Sequence, residues 1–145
     1  SQLAAQQLIA DSENAFLDIT LPDAKGQMQS LSQYRGKVIV LDFSSTEMEQ
    51  YVAYNFELRE LYNQYHKQGV EIYSVGIELN LLAWEEATEN LPWLTVRALD
   101  NEITEVLKRY NVQSLPTLFL FDKEGNVQGR YTDFTALEAD INKYL

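Results

Sequence analysis

Ser44, Ser45 and Thr46 stand in a row and are followed at once by Glu47 and Glu49. They sit where the apolar run "VIVLDF" ends and a helical pattern begins, the junction where many α/β proteins place their chemistry. A serine or threonine hydroxyl acts as a nucleophile only when a neighbouring base takes its proton. The sole histidine, His66, lies about five helical turns further on, roughly 27 Å at the usual pitch. There is no cysteine, which excludes thiolate nucleophiles, disulfide scaffolds and Cys-ligated zinc. No catalytic residue, metal or cofactor is expected from this inventory. The cluster reads instead as a helix start. Thr46 and Glu49 have capping-box spacing, and Glu47 and Glu49 suit the positive end of a helix dipole.

The elements that must hold this junction follow from periodicity. "FLDITL" (16–21) alternates like a half-buried strand, and "PDAKGQ" (22–27) is turn chemistry. Residues 38–43 are apolar at nearly every position, the mark of a fully buried central strand. The spacing predicts a long helix over 46–68, with Leu58, Leu61, Tyr62 and Tyr65 as its apolar stripe and Gly69 as its stop. His66 then falls in the last turn, where a cation is favoured. A strand follows at 70–77, and Asn80 caps a helix carrying Leu81, Trp84 and Ala87. "LPWLTVRAL" holds a short strand, 101–110 a helix, and 115–121 a strand. "DKEGN" (122–126) turns into a partner strand "VQGRY", and the chain closes on an amphipathic helix. Strands alternating with helices imply an α/β domain whose late hairpin adds antiparallel strands at one edge.

The whole chain, 1–145, reads as one domain with residues 1–13 as a helical extension. The start, "SQLAAQQLIADSEN", lacks an initiator methionine and implies a piece excised from a longer protein. Twenty-two acidic residues against 11 basic ones leave a net charge of −11, which argues against nucleic acid or an anionic membrane as partner. No apolar run approaches the ~20 residues that span a bilayer, so any membrane attachment would lie outside this chain.

The order of "FLDITLPDAKGQMQSLSQYRGKVIVLDF", "LRELYNQYHKQGVEIYSVGI", "NLPWL" and "YNVQSLPTLFLFDKEGNV" resembles a known family over roughly residues 16–130. It is similar to the thioredoxin fold, and within it to the envelope thiol–disulfide oxidoreductases related to the alkyl hydroperoxide reductase/thiol-specific antioxidant group. The resemblance implies a central mixed β-sheet flanked by helices, with an extra N-terminal hairpin. It also implies a Cys-x-x-Cys at the junction, whose first thiolate attacks a substrate disulfide. Laid on this sequence, the two cysteine positions fall on Met48 and Tyr51, and the preceding aromatic positions on Ser44 and Glu47. A thioether forms no disulfide, so Met48 and Tyr51 are vestigial. "SLPTLF" places Pro116 at the family's cis-proline, beside which relatives pair backbone with an extended substrate peptide.

The expectation is a catalytically degenerate thioredoxin-like domain in the bacterial periplasm or cell envelope, acting as a binding or accessory module. Thr46, Glu47, Met48, Tyr51, Leu115 and Pro116 would form the groove for an extended peptide or protein partner. Two rivals stand beside it. One is a redox protein whose cysteines lie outside this chain. The other is a structural or dimerisation domain in which Tyr51, Tyr54, Phe56, Trp84 and Trp93 form a homotypic patch.

Overall fold

The computed structural model describes residues 17–145. The first elements are a short antiparallel hairpin, β1 (Thr20–Pro22) with β2 (Met28–Ser30). Strand β3 (Val38–Ser44) is buried at all seven positions, which requires cover on both faces and a partner on both edges. It has both. β4 (Val70–Gly76) pairs with it in parallel, and β6 (Thr117–Phe121) pairs antiparallel on the other side. With β5 (Leu94–Arg97) and β7 (Val127–Tyr131) the sheet runs β5-β4-β3-β6-β7.

Among the described residues four α-helices flank the sheet: α1 (Tyr51–Tyr65), α2 (Leu81–Thr88), α3 (Ile103–Arg109) and α4 (Phe134–Tyr144). The pleat of β3 sorts its side chains between two cores. Val38 and Val40 join Tyr54, Leu58, Leu61 and Tyr65 of α1 and Leu137 and Ile141 of α4. Ile39, Leu41 and Phe43 join Ile19, Leu21 and Leu31 from the hairpin side and Val106 of α3. The mixed sheet flanked by helices, with its extra hairpin, is the architecture that the order of sequence landmarks implies.

Two turns are built alike. Asp23 accepts from the backbone N–H of Lys25 and Gln27 and from the Gln29 side chain. Asp122 accepts from the N–H of Glu124 and Asn126 and from the Gln128 side chain. Each turn needs a left-handed residue, supplied by Gly26 (φ 81°) and Gly125 (φ 89°).

Several expectations are corrected. The strand expected over 16–21 begins only at Thr20. Asp18 accepts from Ile19 N–H, Ser32 N–H and the Ser32 hydroxyl, holding the approach as a loop. The helix expected over 46–68 starts at Tyr51 and ends at Tyr65, followed by a tight 3₁₀ turn over His66–Gln68. The Thr46–Glu49 capping box does not form, since Gln50 occupies the cap without a side-chain bond and Thr46 is held elsewhere. The aromatic patch is dissolved: Tyr54, Trp84 and Trp93 are buried, and of the five only Phe56 is prominently exposed. His66 does sit at the end of the helix, stacked on Tyr62 at 4.4 Å with Nδ1 3.4 Å from Glu71. The whole extension at 1–13 lies outside the described residues, as does every other position before 17, Phe16 included.

Candidate functional site

β3 delivers the chain to the junction, and the six residues between Ser45 and Gln50 turn before α1 begins. Within the turn, Ser45 Oγ accepts from Glu47 N–H at 3.0 Å. The Ser45 carbonyl accepts from Met48 N–H and the Met48 carbonyl from Tyr51 N–H, each at 3.1 Å. The backbone thus closes on itself between positions 48 and 51, the two places where the landmark order puts the family's cysteines. Glu47 and Glu49 are exposed, whereas Met48 and Tyr51 are half-buried. Met48 packs against the core under α1 and α4.

The turn is braced from across the sheet by Glu78, just beyond β4. Its carboxylate is 1% exposed and accepts from Thr46 N–H at 2.9 and 3.1 Å and from the Thr46 hydroxyl. Burial raises its pKa, an effect that the Thr46 bonds oppose and nearby Glu47 reinforces. A charge-assisted, bidentate hold of this kind is stronger than a neutral cap, which is why Thr46 does not serve α1.

One layer deeper lies Asp42, on the same face of β3 as Val38 and Val40 by the strand's alternation. Its carboxylate accepts from Tyr54 Oη at 2.5 Å, Ser74 Oγ at 2.7 Å and Ser44 Oγ at 3.1 Å. Trp93 Nε1 donates in turn to Ser74 Oγ at 2.9 Å. Burial pushes the Asp42 pKa up to about 6 against these three bonds. Burial, with Asp42 and Glu78 adding their charges, pushes Tyr51 up to about 12. Asp42, Glu78, Tyr51 and Asn55, with Trp84 and Leu91, line a cavity of about 20 Å³, which has room for a single water molecule.

None of this arrangement makes a nucleophile. Ser44 and Thr46 donate to carboxylates, which are far too weak as bases to ionise a hydroxyl without further help. Sequence pattern does not reveal Asp42, Tyr54, Ser74 and Trp93 as one network, nor Glu78 as the brace of the turn. An acidic residue inside "VIVLDF" was the readable signal; Glu78 offered none.

The second arm of the expected groove comes from β6. Phe43 pairs with Thr117 across the β3–β6 ladder, so Pro116 enters the sheet at the end where β3 leaves it. The Leu115–Pro116 peptide is cis, and both residues are half-buried. Leu115 packs on the hairpin-side core and Met48 on the opposite one, so the two arms flank the same sheet end from different faces. Thr46, Glu47, Met48 and Tyr51 belong to one turn, and Leu115 and Pro116 to the neighbouring strand entry.

Comparison with known proteins gives this geometry its relatives. The family model described as thioredoxin-like matches residues 36–127. A thiol-disulfide oxidoreductase ResA from Geobacillus kaustophilus is 39% identical over 131 residues, covering 88% of this chain and 72% of that protein. The solution structure of an uncharacterized thioredoxin-like protein from Bacteroides vulgatus superposes with a TM-score of 0.80 at 35% identity, covering 89% of this chain and 85% of that one. The thioredoxin domain of a thiol-disulfide oxidoreductase from the same organism gives 0.80 at 25% identity, covering 89% and 94%. Sheet order, junction turn and these relatives agree, and the chain belongs to the thioredoxin-like family, related to the thiol-disulfide oxidoreductases but without a cysteine of its own.

Proposed function

We propose that the chain is a catalytically silent thioredoxin-like module of a bacterial envelope protein, which holds an extended peptide or protein segment rather than exchanging disulfides. The observation that carries this reading is the junction turn. Met48 and Tyr51 replace both thiols, yet the turn stays braced by Glu78 and backed by the Asp42 network. A turn kept in shape without its reactive groups supports recognition more than chemistry. Thr46, Glu47, Met48 and Tyr51 form one wall, and Leu115 and Pro116 the strand entry against which an extended backbone would pair.

Two measurements test it together. The purified chain should give no insulin reduction with dithiothreitol and no peroxide consumption above a buffer blank; turnover that saturates in substrate would overturn the silent reading. Carboxymethylated insulin B chain, an extended peptide without free thiols, should shift the amide resonances of residues 46–51 and 115–117 saturably. A titration that leaves those amides unmoved would overturn the binding reading.

The alignment of the motif has its own test. Met48→Cys with Tyr51→Cys should close in air to an intramolecular disulfide, because the 48–51 turn brings i and i+3 within the ~4.4–6.8 Å Cα separation that a disulfide needs. The exposed carboxylates of Glu47 and Glu49 should oppose the thiolate at position 48. Adding Glu47→Gln and Glu49→Gln should therefore lower that thiol's pKa in an alkylation profile. Free thiols and intermolecular dimers alone would remove the assignment.

A further inference from the structure

A second cavity, about 200 Å³, shares Trp84 with the junction cavity and lies between the β1–β2 hairpin, the first turns of α2 and the end of β5. Pro22, Leu81, Trp84 and Leu99 give it apolar walls, and Arg97 and Glu85 bring charge to it. The guanidinium of Arg97 is poorly compensated. Its side chain is only 15% exposed, while its ion-pair partner Asp100 is 80% exposed and 3.4 Å away. Both hydrogen bonds Arg97 makes among the described residues use Nη1, at 3.4 Å to Asp100 and 3.5 Å to the Ala98 carbonyl. Nε and Nη2, the planar edge suited to a carboxylate, make no hydrogen bond among the described residues.

The acids lining the same space differ. Asp23 is saturated by the three donors of its turn. Glu85 has no hydrogen bond or ion pair among the described residues, and it does not reach Arg97 within ion-pair distance. One cation held only by a long pair to an exposed acid, and one anion with no partner among the described residues, therefore share an apolar-walled cavity without neutralising each other. A simple carboxylate would meet repulsion from Glu85 and the protein's net charge of −11. A simple amine would leave Arg97 with only its exposed partner Asp100.

We propose that this cavity binds a small zwitterion, a free α-amino acid with an apolar side chain. Its carboxylate pairs with Arg97, its ammonium with Glu85, and its side chain lies against Trp84, Leu81 and Leu99. The chain has two tryptophans, and only Trp84 lines the cavity. Trp93 is buried under Ser74 and provides an internal control.

The experiment is a titration of the ¹⁵N-labelled chain with L-phenylalanine and L-leucine, read at the two indole N–H resonances. Trp84 should shift saturably with at least one of them while Trp93 stays in place. 3-Phenylpropanoate lacks the ammonium and 2-phenylethylamine lacks the carboxylate, and each should bind at least about tenfold more weakly than phenylalanine, since each leaves one charge unpaired. Arg97→Gln should weaken phenylalanine by at least about tenfold. Should that variant fail to fold, Leu81→Arg, a change at a half-exposed position on the rim, should abolish the Trp84 shift by blocking the cavity. No saturation with either amino acid by about 50 mM, an affinity too weak to be specific, would overturn the proposal. Equal binding of the one-charge analogues would overturn it as well.

Discussion

Asp23 and Asp42 each accept three hydrogen bonds, yet their acidities move in opposite directions. At Asp23 slight burial pushes the pKa up, but the Gln29 side chain and the N–H groups of Gln27 and Lys25 outweigh it and hold the carboxyl below its ordinary value. At Asp42 the hydroxyls of Tyr54, Ser74 and Ser44 do the same work and lose to complete burial. The count of donors does not decide the outcome; the loss of solvent does. A surface turn uses its aspartate to organise backbone, where charge costs almost nothing. The junction keeps its aspartate inside the core, where charge is expensive and the side chain senses pH.

The largest expected effect comes from removing the buried charge. The folded pKa of about 6 lies above the ordinary 3.8, so the native state holds the proton more tightly than the unfolded chain. Stability is then greatest below pH 3.8 as far as Asp42 is concerned, falls as pH rises toward 6, and stays lower above it by about 3 kcal/mol. Asp42→Asn should raise the unfolding free energy at pH 8 by about 1–3 kcal/mol and by almost nothing at pH 4. Urea unfolding across that range checks it, and a gain that does not depend on pH would break the contrast with Asp23.

Next in size is Tyr54→Phe, which deletes the hydroxyl on Asp42 Oδ1. It should cost about 1–2 kcal/mol at pH 8, where it strips a donor from a buried anion, and much less at pH 4. In an Asp42→Asn background most of the loss should vanish, a coupling that a double-mutant cycle measures. The smallest effects belong to the turns. Asp23→Ala, discounted for solvent exposure, and Asp122→Ala, at a buried position, should each cost about 1 kcal/mol. With a lowered folded pKa, Asp23 contributes above pH 3.8 and loses that contribution as pH falls through its folded value. Denaturation of Asp23→Ala should thus converge on wild type once the pH lies below that folded value. A deficit that persists there would show that Asp23 acts through shape instead of charge.

The same contrast shows what was readable in the sequence. The turn "DAKGQ" and its twin "DKEGN" were legible because the bonds that shape them, from each aspartate to the N–H groups just after it, lie within a few residues. The buried strand was legible because "VIVLDF" leaves no polar face for solvent. The start of α1 was misplaced for the opposite reason. Thr46 and Glu49 have the spacing of a capping box, but Thr46 is taken by Glu78, far along the chain. Composition also failed to tell inward aromatics from outward ones. Tyr54 and Trp93 point inward because Asp42 and Ser74 are there to meet their polar ends. The 46–51 turn and the Leu115–Pro116 strand entry lie at one end of the sheet, and the carboxylates behind the turn emerged only with the tertiary structure.

The pairing of β3 has a further consequence, in time instead of space. One neighbour, β4, follows within a single helical crossover, but the other, β6, begins only at Thr117. A chain emerging from the ribosome therefore completes β3, α1 and β4 long before the opposite edge of β3 can be paired. For that interval an apolar strand presents an open row of N–H and C=O groups, a template for another chain. The late pairing of distant strands is also the slow kind. A chain stalled or cut before residue 117 should accumulate in aggregates, and release of residues 117–131 is the event that closes the edge.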